Sequence, residues 1–161
     1  TLLKAFRELD AARDTMPNDL GKALGASAAC VTRASSSSFG TLFATALMAA
    51  GKTLKSRESA EWAELPELIG VAIDAMSSRG KAQLGDKTVL DALAAAQAAT
   101  RGLSDPAIML PAALSAISAS VVEFTNKPNR IGRARIFGDK TVGIPDPGMT
   151  AIKVMTELLA D

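Results

Sequence analysis

Three short stretches of this chain carry residue types suited to holding an anion. Residues 132–150 read GRARIFGDKTVGIPDPGMT, rich in glycine, arginine and aspartate, and end in Asp146-Pro147-Gly148 just before an apolar helical pattern. Asp146 is placed to cap that helix, and Pro147 to take its first position, where a missing N–H does no harm. The first turn would then offer free backbone donors to a phosphate. The same residues equally describe a well-capped final helix with an irregular approach. Residues 79–93 read RGKAQLGDKTVLDAL. Here Gly85-Asp86-Lys87 can turn tightly and present backbone N–H groups and an ammonium, while Thr88 and Asp91 have capping-box spacing ahead of Val89, Leu90 and Leu93. Residues 35–41, SSSSFGT, set hydroxyls and small residues before a helix that begins near Thr41.

What is missing narrows the chemistry. None of the 161 residues is a histidine, which excludes Ser-His-Asp catalysis, histidine general bases, imidazole metal ligands and phosphohistidine within this chain. Cys30 is the single cysteine, so no disulfide framework or zinc cluster can form, and buried packing is its expected role. A net charge of +1, with both signs interspersed, argues against a nucleic-acid groove or an anionic membrane as partner, and any phosphate site must be local. No apolar run approaches a spanning helix without glycine or charge, and no secretory segment opens the chain, so the expected compartment is the cytoplasm. Gly51-Lys52-Thr53 resembles part of a P-loop, but Ala46 stands where the earlier glycine is required and a helix precedes it. It reads instead as a helix C-terminus, with Gly51 ending the pattern and Lys52 favouring the dipole.

The elements that must position these stretches are helices. Alanine and leucine dominate, tyrosine is absent, and 48% of the chain is apolar, enough for one domain with its own core. The periodicity predicts helices at about 1–14, 19–34, 40–54, 62–79, 88–100, 106–125 and 148–160, an all-α, up-and-down arrangement. The first presents Leu2, Leu3, Phe6 and Leu9 on one face. Trp62 and the methionines 48, 76, 109 and 155 fall on apolar helical stretches and are expected in the core. The exception to compactness is the connection 126–147, which carries Lys127, Arg130, Arg133, Arg135 and Lys140; loops of this length are functional or disordered. The string GDKTV occurs at 85–89 and again at 138–142, either by coincidence or because two loops converge on similar ligand chemistry.

RGKAxxGDKTxLDAL followed by GRAxxxG…G…DPGxT resembles the nucleotide-binding L subunit of dihydroxyacetone kinase, equivalently the C-terminal domain of the single-chain ATP-dependent enzymes, from about Thr1 to the C-terminus. The resemblance implies an antiparallel up-and-down helical barrel of about seven to eight helices, one domain over 1–161, with ADP or ATP at one end. It implies Gly85, Thr88, Arg133, Asp146, Pro147 and Gly148 around the nucleotide, with Arg133 facing a phosphate. The family's Gly-Gly-Ala-Ser-Gly turn aligns with residues 36–40, which implies nucleotide contact by Ser37, Ser38, Phe39 and Gly40. Two family glycines are serine here, and the family's serine is Phe39.

The family's magnesium ions sit on a loop of three aspartates. That loop, with the first helix, is expected upstream of Thr1, so no metal ligand and no general base are assigned in this sequence. The implied partners are a K subunit or domain that holds a short keto-sugar covalently through a histidine, and, in the phosphotransferase-system version, a third subunit that rephosphorylates bound ADP. The implied activity is that of a cytoplasmic kinase component of carbohydrate metabolism. The alternative is a catalytically lapsed helical regulatory or interaction domain of the same fold.

Overall fold

The computed structural model describes residues 2–160, the side chain of Leu2 excepted. Among them are α1 (Leu2–Ala12), α2 (Leu20–Ala34), α3 (Ser38–Thr53), α4 (Leu65–Gly80), α5 (Val89–Thr100), α6 (Pro106–Thr125) and α7 (Pro147–Ala160), with no strand. The helix starts obey local chemistry. Asp19 accepts the Lys22 N–H at 2.8 Å, Asp105 accepts the Ala107 N–H at 2.9 Å, and Pro106 and Pro147 stand at first helical positions.

Each helix packs against the next, and α7 returns against both α6 and α5. Because successive helices reverse direction, the turn 35–37, the loop 81–88 and the connection 126–146 all fall at one end of the bundle. The links 54–64 and 101–105 fall at the other. Ile73, Met76, Val89, Leu90, Ile117, Met149 and Ile152 form the main core across α4 to α7. A second core of Ala5, Ala28, Val31, Ala34 and Ala44 joins α1 to α3. Burying these side chains contributes about 1.5–3 kcal/mol for each large one.

Several expectations need correction. Gly51 does not end its helix; it is buried inside α3, and a Cβ there would lie 2.9 Å from the Gly21 carbonyl oxygen, so it serves close packing of α3 on α2. Trp62 and Met48 are not core residues, each being 54% exposed, whereas Met76 and Met109 are fully buried and Met155 is half-buried against the core. Leu3 and Phe6 of α1 are also exposed; Leu9 packs against the second core. The connection 126–147 is not irregular throughout, since Arg133–Thr141 form 3-10 turns kinked at Gly138. α6, with mean hydropathy 1.7 over its most apolar window, is long and apolar enough to cross a membrane by length and composition. In this fold it packs between α5 and α7. Cys30 is buried as expected.

Candidate functional site

The loop 81–88 is organised by a carboxylate from the first turn of α5. Asp91 Oδ1 accepts the Gly85 N–H at 2.6 Å and Asp91 Oδ2 accepts the Thr88 N–H at 2.8 Å. Thr88 in turn caps α5 by accepting the Leu90 N–H at 3.2 Å. Asp91 is almost fully buried, so these charge-assisted bonds hold the loop in one shape. The expectation that Lys87 presents its ammonium to a ligand is overturned. Lys87 is fully buried, and its Nζ donates to the carbonyl oxygens of Lys127 at 2.7 Å, Thr141 at 2.8 Å and Thr125 at 3.3 Å. Burial pushes this ammonium below the ordinary lysine range, and the Asp146 carboxylate opposes that shift.

The connection 126–146 is tied to the same loop. Asn129 Nδ2 donates to the Lys87 carbonyl at 2.9 Å and to Asp146 Oδ1 at 2.8 Å. The Arg130 N–H meets the Asp86 carbonyl at 3.2 Å. The first turn of α7 does not offer the free donors expected of it. Asp146 Oδ2 accepts the Gly148 N–H at 2.8 Å and the Met149 N–H at 3.0 Å, and Pro147 has none to give. The capping reading of this turn holds, and its own carboxylate stands where an anion would.

Open donors remain at the start of α3. Ser37 Oγ accepts the Gly40 N–H at 3.0 Å, while the Ser38 and Phe39 N–H groups meet no acceptor among the described residues. Gly40 is required here, since a Cβ would stand 2.7 Å from Ser35 Cβ. The Phe39 ring packs against the main core, which includes Ala82 and Val89, and stacks on Phe43 with centroids 6.0 Å apart. Its ring therefore fixes the start of the helix.

The fold thus brings Gly85, Thr88, Asp146 and Gly148 into one bonded network and sets Ser37, Ser38, Phe39 and Gly40 at the same end of the bundle. Pro147 is exposed beside them. Arg133, Arg135 and Lys140 are exposed in the 3-10 segment and Arg130 is exposed just before it, and none of these four forms an ion pair among the described residues. A groove of about 850 Å3 starts at Leu84, Gly85 and Asp91 and runs between the alanine-lined faces of α5 and α6. No group of three or more His, Cys, Asp or Glu side chains able to hold a metal ion occurs among the described residues. These residues alone do not fit a magnesium centre.

Sequence reasoning misses two organising residues. The spacing of Asp91 marks it only as a helix cap, although its second oxygen reaches back six residues to Gly85. Asn129 has no local signature; the repeated GDKTV string is the one hint that its loop meets the 81–88 loop.

The DAK2 domain model matches residues 1–161. The chain is 34% identical over 125 residues to the PEP-dependent dihydroxyacetone kinase, ADP-binding subunit DhaL, of Escherichia coli, an alignment covering 75% of this chain and 60% of that protein. It is 32% identical over 126 residues to an L-erythrulose 1-kinase of Mycolicibacterium smegmatis, covering 76% of this chain and 22% of that enzyme. An L-erythrulose kinase of Pectobacterium atrosepticum is 29% identical over 126 residues, covering 75% and 21%. The chain therefore spans about three fifths of the first relative and about a fifth of the other two. With the family model matched from end to end and the helical architecture in place, this chain belongs to the DAK2 domain family.

Proposed function

We propose that this domain is the ADP- or ATP-binding half of a cytoplasmic kinase of the dihydroxyacetone (glycerone) kinase type, acting on a short keto-sugar held by a partner K subunit or domain. The observation that supports the reading is that the start of α3, with the unpaired Ser38 and Phe39 N–H groups, the loop 81–88 and the arginine-bearing connection 126–146 lie at one end of the bundle. The names of the relatives, an ADP-binding subunit and two erythrulose kinases, agree with it.

In this reading the open N–H groups of Ser38 and Phe39 at the start of α3 meet phosphate oxygens. Ser37 and Gly40 shape that turn. Gly85 and Thr88 border the base, which has room to lie in the adjoining groove. Arg133 brings its guanidinium fork to a phosphate. Asp146, Pro147 and Gly148 frame the site rather than donate to it. In the transfer, a sugar hydroxyl oxygen forms the new P–O bond, the bond between the transferred group and ADP breaks, and the hydroxyl proton leaves to a base outside this chain. Phosphoryl transfer rests on positioning and charge neutralisation, and this chain's part is to orient the nucleotide and balance its charge. The described residues hold no carboxylate cluster for the magnesium ions expected of such an enzyme, and this reading assigns those ions no ligand among them. A phosphotransferase-system protein is the alternative phosphoryl source, acting on ADP that stays bound.

One observation favours the lapsed reading. Ser37 and Ser36 replace glycines of the family turn, and the Ser37 hydroxyl consumes the Gly40 N–H. A lapsed domain would bind nucleotide weakly and without dependence on magnesium. Calorimetric titration of the full-length protein with ADP, with magnesium and then with a chelator, separates the two. Tight magnesium-dependent binding is the expected result; weak binding indifferent to the chelator would favour the lapsed regulatory domain, and no binding would overturn the nucleotide reading in favour of an interaction domain.

A further inference from the structure

We propose that Lys87 is a positioning residue that sets the arginine-bearing segment 130–140 over the nucleotide end, rather than a phosphate ligand. The inference rests on the nucleotide reading above for what the segment is positioned to do, but not for how it is held.

The segment hangs between two anchors, and Lys87 joins them. Its Nζ gathers the Thr125 and Lys127 carbonyls, where the connection leaves α6, and the Thr141 carbonyl, where the 3-10 turns end. The Lys87 carbonyl accepts Asn129 Nδ2, and the Asn129 N–H donates to Thr141 Oγ1 at 2.9 Å. The Gly143 N–H returns to the Thr125 carbonyl at 2.8 Å. Between these anchors, no side chain of residues 131–140 makes a hydrogen bond or ion pair to another element among the described residues, and Ile131 alone packs on the core. The placement of Arg133 and Arg135 is therefore inherited from the anchors.

The lysine's own backbone points the same way. Lys87 sits at φ +62°, a left-handed conformation that lysine rarely adopts. Its stem lies buried beneath the connection, while Gly85 and Thr88 in the same loop are half-buried. Lys87 thereby links the proposed nucleotide loop to both ends of the arginine segment, beside the single backbone bond from the Arg130 N–H to the Asp86 carbonyl. A change in the loop's shape would be felt at Arg133 through the three carbonyls.

The test uses the full-length protein with Lys87→Met, Arg133→Ala and the double variant, ADP with magnesium as the probe, and amide hydrogen exchange without nucleotide. The proposal expects faster exchange across 130–140 in Lys87→Met while α4 and the second half of α5 stay protected. It expects ADP affinity to fall about tenfold, and this loss to vanish when Arg133 is already alanine, because coupled residues are non-additive. Unchanged exchange over 130–140, or the same affinity loss in both backgrounds, would overturn it. Should Lys87→Met fail to fold, Asn129→Ala severs the Lys87–Asp146 bridge with the ammonium intact, and the same non-additivity with Arg133→Ala is expected. If the unsubstituted protein binds no ADP, the nucleotide reading falls by itself. The exchange data then still decide whether Lys87 holds the segment.

Discussion

The pentapeptide GDKTV appears at 85–89 and at 138–142, and its two copies use the same side chains in opposite ways. In the first, the lysine is fully buried and binds three carbonyls, and the threonine caps α5. In the second, Lys140 is exposed, and the threonine is the buried member, accepting the Asn129 N–H and donating to the Gly138 carbonyl at 2.7 Å. The copies do not flank a shared ligand with like groups. They meet each other, the lysine of one on the carbonyl of the other's threonine. Identical sequence takes its role from the neighbouring structure: a helix after Val89, a kinked exposed turn around Gly138.

The largest effect that would break this contrast is a matched pair of substitutions. Lys87→Met strips the Lys127 carbonyl of its donor and takes one of two from the Thr125 and Thr141 carbonyls, and should cost about 3 kcal/mol in urea unfolding, whereas Lys140→Met should stay within about 0.5 kcal/mol. Equal costs would mean that burial does not distinguish the copies. The threonines sharpen it in the other direction. Thr141→Val strands the Asn129 N–H and should cost about 2 kcal/mol, against about 1 kcal/mol for Thr88→Ala, which removes a helix cap; thermal melts of the two variants give the order. Arg133→Ala, in the segment between the anchors, should leave stability within about 0.5 kcal/mol while lowering ADP affinity about tenfold, as read by calorimetry.

The smallest effect lies at the opposite end of the bundle and serves as a control. Arg57 Nη1 and Nη2 donate to Glu64 Oε1 and Oε2 at 2.6 and 2.7 Å, and this guanidinium holds the Glu64 carboxyl down at about 2 from an ordinary 4.5. The folded state therefore binds this proton less readily than the unfolded chain. The pair's contribution is complete above about pH 4.5 and fades as pH falls toward about 2. Glu64→Gln should flatten the acid limb of the stability curve in that window and leave ADP binding unchanged.

Much of the fold was legible because it rests on local rules. Helix periodicity, the Thr88/Asp91 box and the prolines at 106 and 147 each act within one turn of chain. The same rules located the three loops, and antiparallel order placed them at one end. What could not be read depends on partners distant in sequence. Nothing local tells that Lys87 will be covered by carbonyls 38 to 54 residues away. Nor does an apolar pattern reveal whether Trp62 meets its own core or solvent, since both leave the same period. Asp146 illustrates a third limit: a good capping residue and a phosphate compete for the same N–H groups, and only the side-chain torsion decides between them.

The central claim is that nucleotide is held at the loop end, and backbone amide chemical-shift mapping of the full-length protein with ADP and magnesium tests it most directly. The account predicts the largest shifts at Ser38, Phe39, Gly85, Thr88 and Arg133, with little change at 54–64 and 101–105. Shifts concentrated at those far links, with the three loops unmoved, would contradict it.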